Sequence, residues 1–449
     1  MLWEQQIQFA TISDIGCRRQ INQDACAVHI CSDQETWERS GHLFVVADGM
    51  GGHAVGELAS KIAIDTIPHL YLKSKNVGIP EALKAAFQDA NVTIYERGSQ
   101  NVDFNHMGTT CVSLVLSPEG AFAAHVGDSR LYRIRNDRID QLTFDHSRKW
   151  ELMRNRTLKS DEVFVHESRH VITRSLGPLE AVEVDVEGPY SVFSGDIYLL
   201  CSDGLTGHVN DAEIGAIVRA LPCVDACRLL VNLANLRGGS DNITVVISRV
   251  GELPNGLTIA NRGTAEKAAD GLGWFWLAGF RSVTIMFIIG VLLALLGNII
   301  AGSAMVSLAL AAALVLVLKL AADQPKQTGN HSVQAVHGRT YRTAPVKLTK
   351  AFLNQMAAMA SRLQQVAVAE GWSLDPKTHE VSCSEARIAL TERKYARALS
   401  GFAKSIDVLM AGVRSEHDKR NHQVRQGKTL SATRREAGGT NGERRKMKE

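Results

Sequence analysis

Apolar residues follow two spacings along the first 250 positions. Short runs rich in Val, Ile, Leu and Phe occur at 7–14, 25–30, 42–48, 109–116, 121–126, 129–135, 196–201 and 243–250, and each reads as a β-strand. Residues 54–72, 80–98 and 224–236 instead repeat their apolar positions as one face of a helix does. Past residue 250 the pattern changes several times. Residues 251–273 are Gly-, Ala- and polar-rich, as in a linker. Val283 to Leu318 is a stretch of 36 residues without a charge, and 350–371 and 384–416 return to helical apolar spacing. The final "KTLSATRREAGGTNGERRKMKE" has the composition of a disordered segment. No internal repeat is present.

Acidic residues recur where the strands end. In "FVVADGMGGHAVGELAS", Asp48 closes the run Phe44–Ala47 and precedes Gly49, Gly51 and Gly52, at a strand-to-helix junction. Such a stretch could cradle a phosphate or hold a metal ion, and its glycines fit neither G-x-G-x-x-G nor G-x-x-x-x-G-K-[ST]. Asp24, Asp128, Asp203 and Asp241 stand in the same setting, in "INQDACAV", "HVGDSRLYRI", "LLCSDGLTG" and "GGSDNITVVI". One Asp beside a Gly is ordinarily a turn former or a helix cap. Five at strand ends are different, because strand ends of one sheet system can converge and clustered carboxylates repel unless cations neutralise them. Oxygen ligands without His or Cys suit Mg²⁺ or Mn²⁺ rather than zinc, so a dinuclear acidic centre is the physical expectation.

The ordered set "SDIGCRRQINQDA", "VVADGMGGHAVGELAS", "MGTTCVSLVL", "AHVGDSRLYRI", "QLTFDHS", "ITRSLG", "LLCSDGLTGHV" and "SDNITVVI" resembles the metal-dependent serine/threonine phosphatases of the PP2C (PPM) family in their bacterial form, over residues 7 to about 250. The resemblance implies an α+β fold, a sandwich of two antiparallel sheets flanked by helices on both sides, with metals in a cleft at one end. It implies Mn²⁺ or Mg²⁺ as cofactor, two catalytic ions with a third in bacterial members. Asp48 would bridge the two, the carbonyl of Gly49 would be a further ligand, and Asp203 and Asp241 would complete one shell. Asp24 would act mainly through metal-bound water, and Asp128 would hold the third ion. Arg19, three residues after Gly16, matches the arginine that grips the substrate phosphate, a bidentate task suited to a guanidinium. The implied reaction is hydrolysis of phosphoserine and phosphothreonine by metal-activated water, with Asp48 and Arg19 as catalytic residues and no phosphoenzyme. The implied partners are phosphorylated proteins, substrates of a Ser/Thr kinase.

Two positions depart from the family pattern. Met50 stands where eukaryotic members carry the histidine that acts as general acid, and Gln23 stands where many members have glutamate. His53, at the start of the helix after Asp48, is expected to be structural. Cys17 and Cys26 lie outside any C-x₅-R loop and are expected to be small buried hydrophobes.

At 449 residues, 45% hydrophobic and 22% charged, the chain has room for more than one module. No signal peptide is visible in "MLWEQQIQFATISD", and eight cysteines without a C-x-x-C pair imply a reducing cytosol for the catalytic part. Net charge is +3, but residues from 321 onward hold 23 Lys and Arg against 12 Asp and Glu, leaving 27 against 35 for residues 1–320. The tail is thus about +11 and the rest about −8. The uncharged stretch is too long for one span of roughly 20 residues and suits two short ones turning at Gly297, Asn298, Gly302 and Ser303. A transmembrane hairpin at about 282–299 and 303–320 is therefore expected, with positive flanks cytoplasmic; the alternative is one tilted span with an extracytoplasmic tail. The expected organisation is a phosphatase domain 1–250, a linker 251–281, a transmembrane hairpin 282–320 and a mostly helical basic tail 321–449 with a disordered end. The expected location is the bacterial inner membrane with the catalytic domain in the cytoplasm. A second reading makes the basic tail a membrane- or nucleic-acid-binding regulator with the phosphatase accessory, although no nucleic acid is expected as partner.

Overall fold

In the computed structural model the described residues are 7–51, 55–104, 106–148, 150–151, 171–251, 284, 286–289, 291–322, 340–372 and 376–415. The chain divides into two compact units, Met1–Asn255 together with Val336–Glu449, and Gly256–Ala335. The expected linker 251–281 falls almost wholly outside the described residues, as do His53 and the C-terminal stretch from 416 onward.

The first unit is built on two antiparallel sheets. One contains β1 (Ile7–Asp14), β7 (Arg130–Arg135), β8 (Arg138–Gln141), β10 (Ile197–Cys201), β11 (Ile243–Val250) and β12 (Arg342–Pro345), in the order β1-β11-β10-β7-β8-β12. The other contains β2 (Asp24–His29), β3 (His42–Met50), β5 (Cys111–Ser117), β6 (Gly120–Val126) and β9 (Asp185–Tyr190), in the order β2-β3-β5-β6-β9, with the short β4 (Gly108–Thr109) on the end of β3. The sheets meet face to face where β3 packs on β10 and β11 and β5 packs on β7.

Side-chain alternation explains why both faces of each sheet are covered. Along β3, Leu43, Val45 and Ala47 join a core with Ala59, Ala63, Ile67, Leu83 and Phe87 of the helices Val55–Lys73 and Ile79–Ser99, while Phe44 and Val46, also fully buried, alternate to the opposite face. On the other sheet, Tyr132, Leu199, Val245 and Ile247 pack against the helices Asp211–Ala220 and Cys223–Leu236. The two-sheet α+β sandwich expected from the sequence is present, with strand bounds within a residue or two. The sequence reading missed β8 and β9, each short or interrupted by Gly and Pro, and the helix Asp211–Ala220, which a capping box of Asn210 and Glu213 opens.

The tail belongs to this unit. β12 extends the first sheet, with Arg342 opposite Gln141 and Thr343 opposite Asp140. Helices Lys350–Ala369, Pro376–Thr391 and 395–415 follow. The apolar spacing over 384–416 is interrupted at Arg393, whose φ of 59° is left-handed. Phe352, Leu353, Met356, Phe402 and Ile406 share one core with Ile214, Ile217 and Leu230 of the catalytic helices. Polar contacts line the same seam, among them Asn232 Nδ2 to Asp407 Oδ1 at 3.2 Å and Arg414 Nη1 to Asn232 Oδ1 at 3.1 Å.

The expectation of transmembrane helices, and with it the C-terminal membrane anchor, is corrected. Among the described residues no helix is long and apolar enough to cross a membrane. Helical residues 286–289 and 291–295 precede the turn at Gly297. Gly297, at φ 93°, and Asn298 then close that turn onto Ala294 and Leu293.

Candidate metal and phosphate site

The register of β2 on β3 sets Asp24 directly opposite Asp48. Asp203 starts the short helix Asp203–Thr206 after β10, Asp241 lies two residues before β11, and Asp128 lies in the turn between β6 and β7. The five meet electrostatically. Burial pushes the Asp48 carboxyl well above the usual carboxylate range, and Asp24, Asp203, Asp128 and Asp241 push it further. Burial is likewise the main cause that raises Asp24 to about 6 and Asp128 to about 7, with Asp203 adding to both.

Each acid is held by its backbone surroundings. The Asp48 carbonyl accepts from Thr110 N–H at 2.8 Å and from Thr109 Oγ1 at 2.9 Å, so the "MGTT" segment fixes its position. Asp24 Oδ2 accepts from Ser202 Oγ at 2.7 Å, which ties β2 to the residue before Asp203. Asn242 accepts from Gln23 N–H at 2.9 Å and donates to the carbonyls of Ile15 at 2.9 Å and Ile21 at 3.1 Å. It thereby clips the 15–23 loop beside Asp241. Asp128 follows Gly127, whose N–H donates to His146 Nδ1 at 3.1 Å and whose carbonyl accepts from His146 N–H at 2.9 Å.

The donor set fits a hard divalent cation. Asp24 Oδ1 and Asp128 Oδ1 are buried carboxylate oxygens with no hydrogen-bond partner, a costly condition unless a cation completes them. Gly49 meets a second requirement besides approach to metals. A Cβ there would lie 2.0 Å from the Gly56 carbonyl oxygen and 2.6 Å from that of Gln23, so only glycine lets the start of the following helix close on β3.

Arg19 reaches the cluster. Its Nη2 lies 2.9 Å from Asp241 Oδ2, with both side chains partly exposed. Its loop is pinned by Cys17 and Arg18 N–H groups donating to the Gly239 carbonyl at 2.8 and 3.2 Å. Gly16, at φ 79°, allows the turn, and a Cβ there would stand 2.2 Å from the Asp241 carbonyl oxygen. Met50 lies at the end of β3 opposite Gly108 and offers no proton.

Among the described residues His125, His146 and Asp185 also bring ligand atoms within 4.8 Å of one another. Arg174 Nη1, 2.8 Å from Asp185 Oδ1 and 3.5 Å from His146 Nε2, already occupies that spot with a guanidinium. The sequence reading did not single out Ser202, Asn242, Thr110 or His146. Each acts through hydrogen bonds to residues distant in the chain.

The profile of protein phosphatase 2C matches residues 17–184. Protein phosphatase PhpP of Streptococcus pneumoniae is 33% identical over 251 residues, which make up 55% of this chain and 98% of PhpP. The chain belongs to the protein phosphatase 2C family. Another protein phosphatase 2C relative, the serine/threonine phosphatase stp of Listeria innocua, is 33% identical over 241 residues, 52% of this chain and 92% of its own length. The solved serine/threonine phosphatase of S. agalactiae matches with a TM-score of 0.50 at 32% identity, covering 54% of this chain and 99% of that one. About half of this protein phosphatase 2C therefore accounts for nearly all of each of these three relatives.

Proposed function

We propose that this protein hydrolyses phosphoserine and phosphothreonine in proteins, opposing a Ser/Thr kinase in the reducing cytosol, where its eight unpaired cysteines stay reduced. The observation that carries the reading is the convergence of five aspartates, four of which push the fifth, Asp48, up, with orphaned buried oxygens on Asp24 and Asp128. Asp24, Asp48, Asp128, Asp203, Asp241 and the Gly49 carbonyl would hold Mn²⁺ or Mg²⁺. When bound, paired divalent ions supply water of lowered pKa at neutral pH and offset charge on phosphate oxygens.

The remaining work falls to the chain. Arg19, on its pinned loop, turns from Asp241 to the substrate phosphate and binds it through two N–H groups. Asn242 and Ser202 keep the 15–23 loop and Asp24 in register with Asp241 and Asp203. Met50 cannot protonate the departing serine oxygen, so that proton comes from metal-bound water or another group rather than from the end of β3.

The test is hydrolysis of a phosphothreonine peptide by the full-length protein with and without Mn²⁺, beside Asp48→Asn. Hydrolysis that survives chelation, or that Asp48→Asn leaves intact, would refute the assignment.

A further inference from the structure

We infer that the tail residues Tyr341 and Arg342 are positioning residues of the phosphatase site, because they brace segment 141–148 and Trp150, and that segment holds Asp128. The inference deepens the functional reading above and rests on it.

β8 is four residues long and lies between β7 and β12. Without β12 its outer backbone groups would form an open edge. Tyr341, just before β12, donates its N–H to the Gln141 carbonyl at 2.9 Å, where β8 ends. Its ring centroid lies 5.5 Å from that of Phe144, and its hydroxyl donates to Glu187 of β9, in the other sheet. One tail residue therefore joins both sheets at this point. Arg342 lies over the Trp150 ring at 5.7 Å and reaches Asp211 at 3.7 Å, while Trp150 packs edge-on against Phe144 at 5.4 Å.

The braced segment leads to Asp128 through buried polar contacts. Gln141 Nε2 donates to Asp145 Oδ1 at 2.7 Å. Asp145 takes Arg130 in a fork at 2.6 to 3.0 Å, and Arg130 is two residues beyond Asp128. The reciprocal hydrogen bonds of His146 and Gly127 fix the peptide immediately before Asp128. The other edge of the His146 ring faces Asp185 Oδ2 at 3.2 Å, and Arg174 anchors Asp185 at 2.8 Å. Gln141, Asp145 and His146 are each less than 5% exposed. Segment 141–146 can therefore move only by breaking paired polar groups, and a shift there is transmitted to the Gly127–Asp128 peptide.

The experiment uses the full-length protein and compares wild type, Tyr341→Ala/Arg342→Ala and Tyr341→Phe, each with and without Asp128→Asn. Mn²⁺ binding is read by calorimetry, kcat and KM on a phosphopeptide, and fold by thermal melting. Phe352, Phe402 and their neighbours keep the tail docked, so the double variant is expected to melt cooperatively. Its weakest Mn²⁺ binding component should weaken roughly tenfold, with kcat reduced and KM little changed. Tyr341→Phe, which keeps the ring on Phe144, should recover most of this. In the Asp128→Asn background the tail substitutions should have no further effect on Mn²⁺ binding. Should the double variant fail to fold, Arg342→Ala alone carries the comparison, with a smaller effect of the same kind. An unchanged Mn²⁺ isotherm in a folded variant, or effects that simply add to those of Asp128→Asn, would overturn the inference. If wild type bound Mn²⁺ but hydrolysed no phosphopeptide, the functional reading would fall while the calorimetric comparison still judged the positioning role.

Discussion

Asp24 and Asp48 are direct partners across β2 and β3, so their side chains leave the same face of one strand pair. Like charges in that relation destabilise a sheet, and burial enlarges the cost.

Asp48→Asn is therefore expected to act in opposite directions on fold and function. It removes a carboxylate that burial, and then its four acidic neighbours, push well above the usual range, so the chelated protein should melt higher than wild type. It also removes the proposed central ligand, so Mn²⁺-dependent turnover should fall by roughly 10³-fold, the equivalent of several kcal/mol. Melting curves in chelator together with turnover in Mn²⁺ check both. A lower melting point in chelator would contradict the electrostatic account.

The raised carboxyls fix the sign of a pH effect. Asp24 and Asp128 titrate at about 6 and about 7 in the folded metal-free protein, against about 3.9 when unfolded. The folded state thus binds more protons across that interval, and its stability from these groups is full at low pH and lost as pH rises from about 4 to about 7. In chelator the melting temperature should decline over this range, and less steeply in Asp24→Asn or Asp128→Asn. With Mn²⁺ the order reverses, because binding expels the protons. Calorimetry at pH 6.5 in two buffers of different ionisation heat should register proton release.

Arg19→Ala separates phosphate recognition from metal binding. Its partner in the structure is Asp241 at 2.9 Å, so its loss frees a proposed ligand rather than removing one. Mn²⁺ affinity should be equal to or slightly above that of wild type, while kcat/KM falls by about 10²-fold. Calorimetry that showed a large loss of Mn²⁺ affinity would make Arg19 a structural support for the acids instead.

Gly49→Ala tests the close approach behind Asp48. The added methyl meets two backbone carbonyls, neither of which can swing away as a side chain could. A loss of at least about 2 kcal/mol is expected, visible as a drop of several degrees in melting temperature. Gly207→Ala is the control, since a Cβ there meets only the Asp203 carbonyl oxygen at 3.3 Å, and its effect should be far smaller.

The sequence was informative where chemistry is written locally. Asp48 and Asp203 each stand between a strand-like run and a glycine, and the sandwich follows from alternating apolar runs of ordinary length. Ser202, Asn242 and His146 were not legible, because a Ser, Asn or His carries no mark of a partner some 20 to 220 residues away. The tail shows a different limit. Amphipathic spacing at 350–371 states that a face is buried but not against what, and "RTAP" has no alternation to announce a strand. The uncharged stretch misled for the converse reason. Absence of charge marks a segment as apolar, whereas crossing a bilayer needs a helix both long and apolar enough, and none is found among the described residues.

Docking of the tail also sets a timetable for biosynthesis. Thr343 and Asp140, joined by a hydrogen bond, are 203 residues apart. When Val250 leaves the ribosome all the aspartates are already present, yet the layer that covers Ile214, Ile217 and Leu230 is complete only at Met410, about 160 residues later. At roughly 5–20 residues per second that interval lasts about 8–30 s. Throughout it the nascent phosphatase carries a bare apolar face, a period in which chaperones and proteases compete for it. A message broken between these points would yield a polypeptide with all five aspartates and no cover, so the cell's supply of working enzyme is coupled to translation passing Met410.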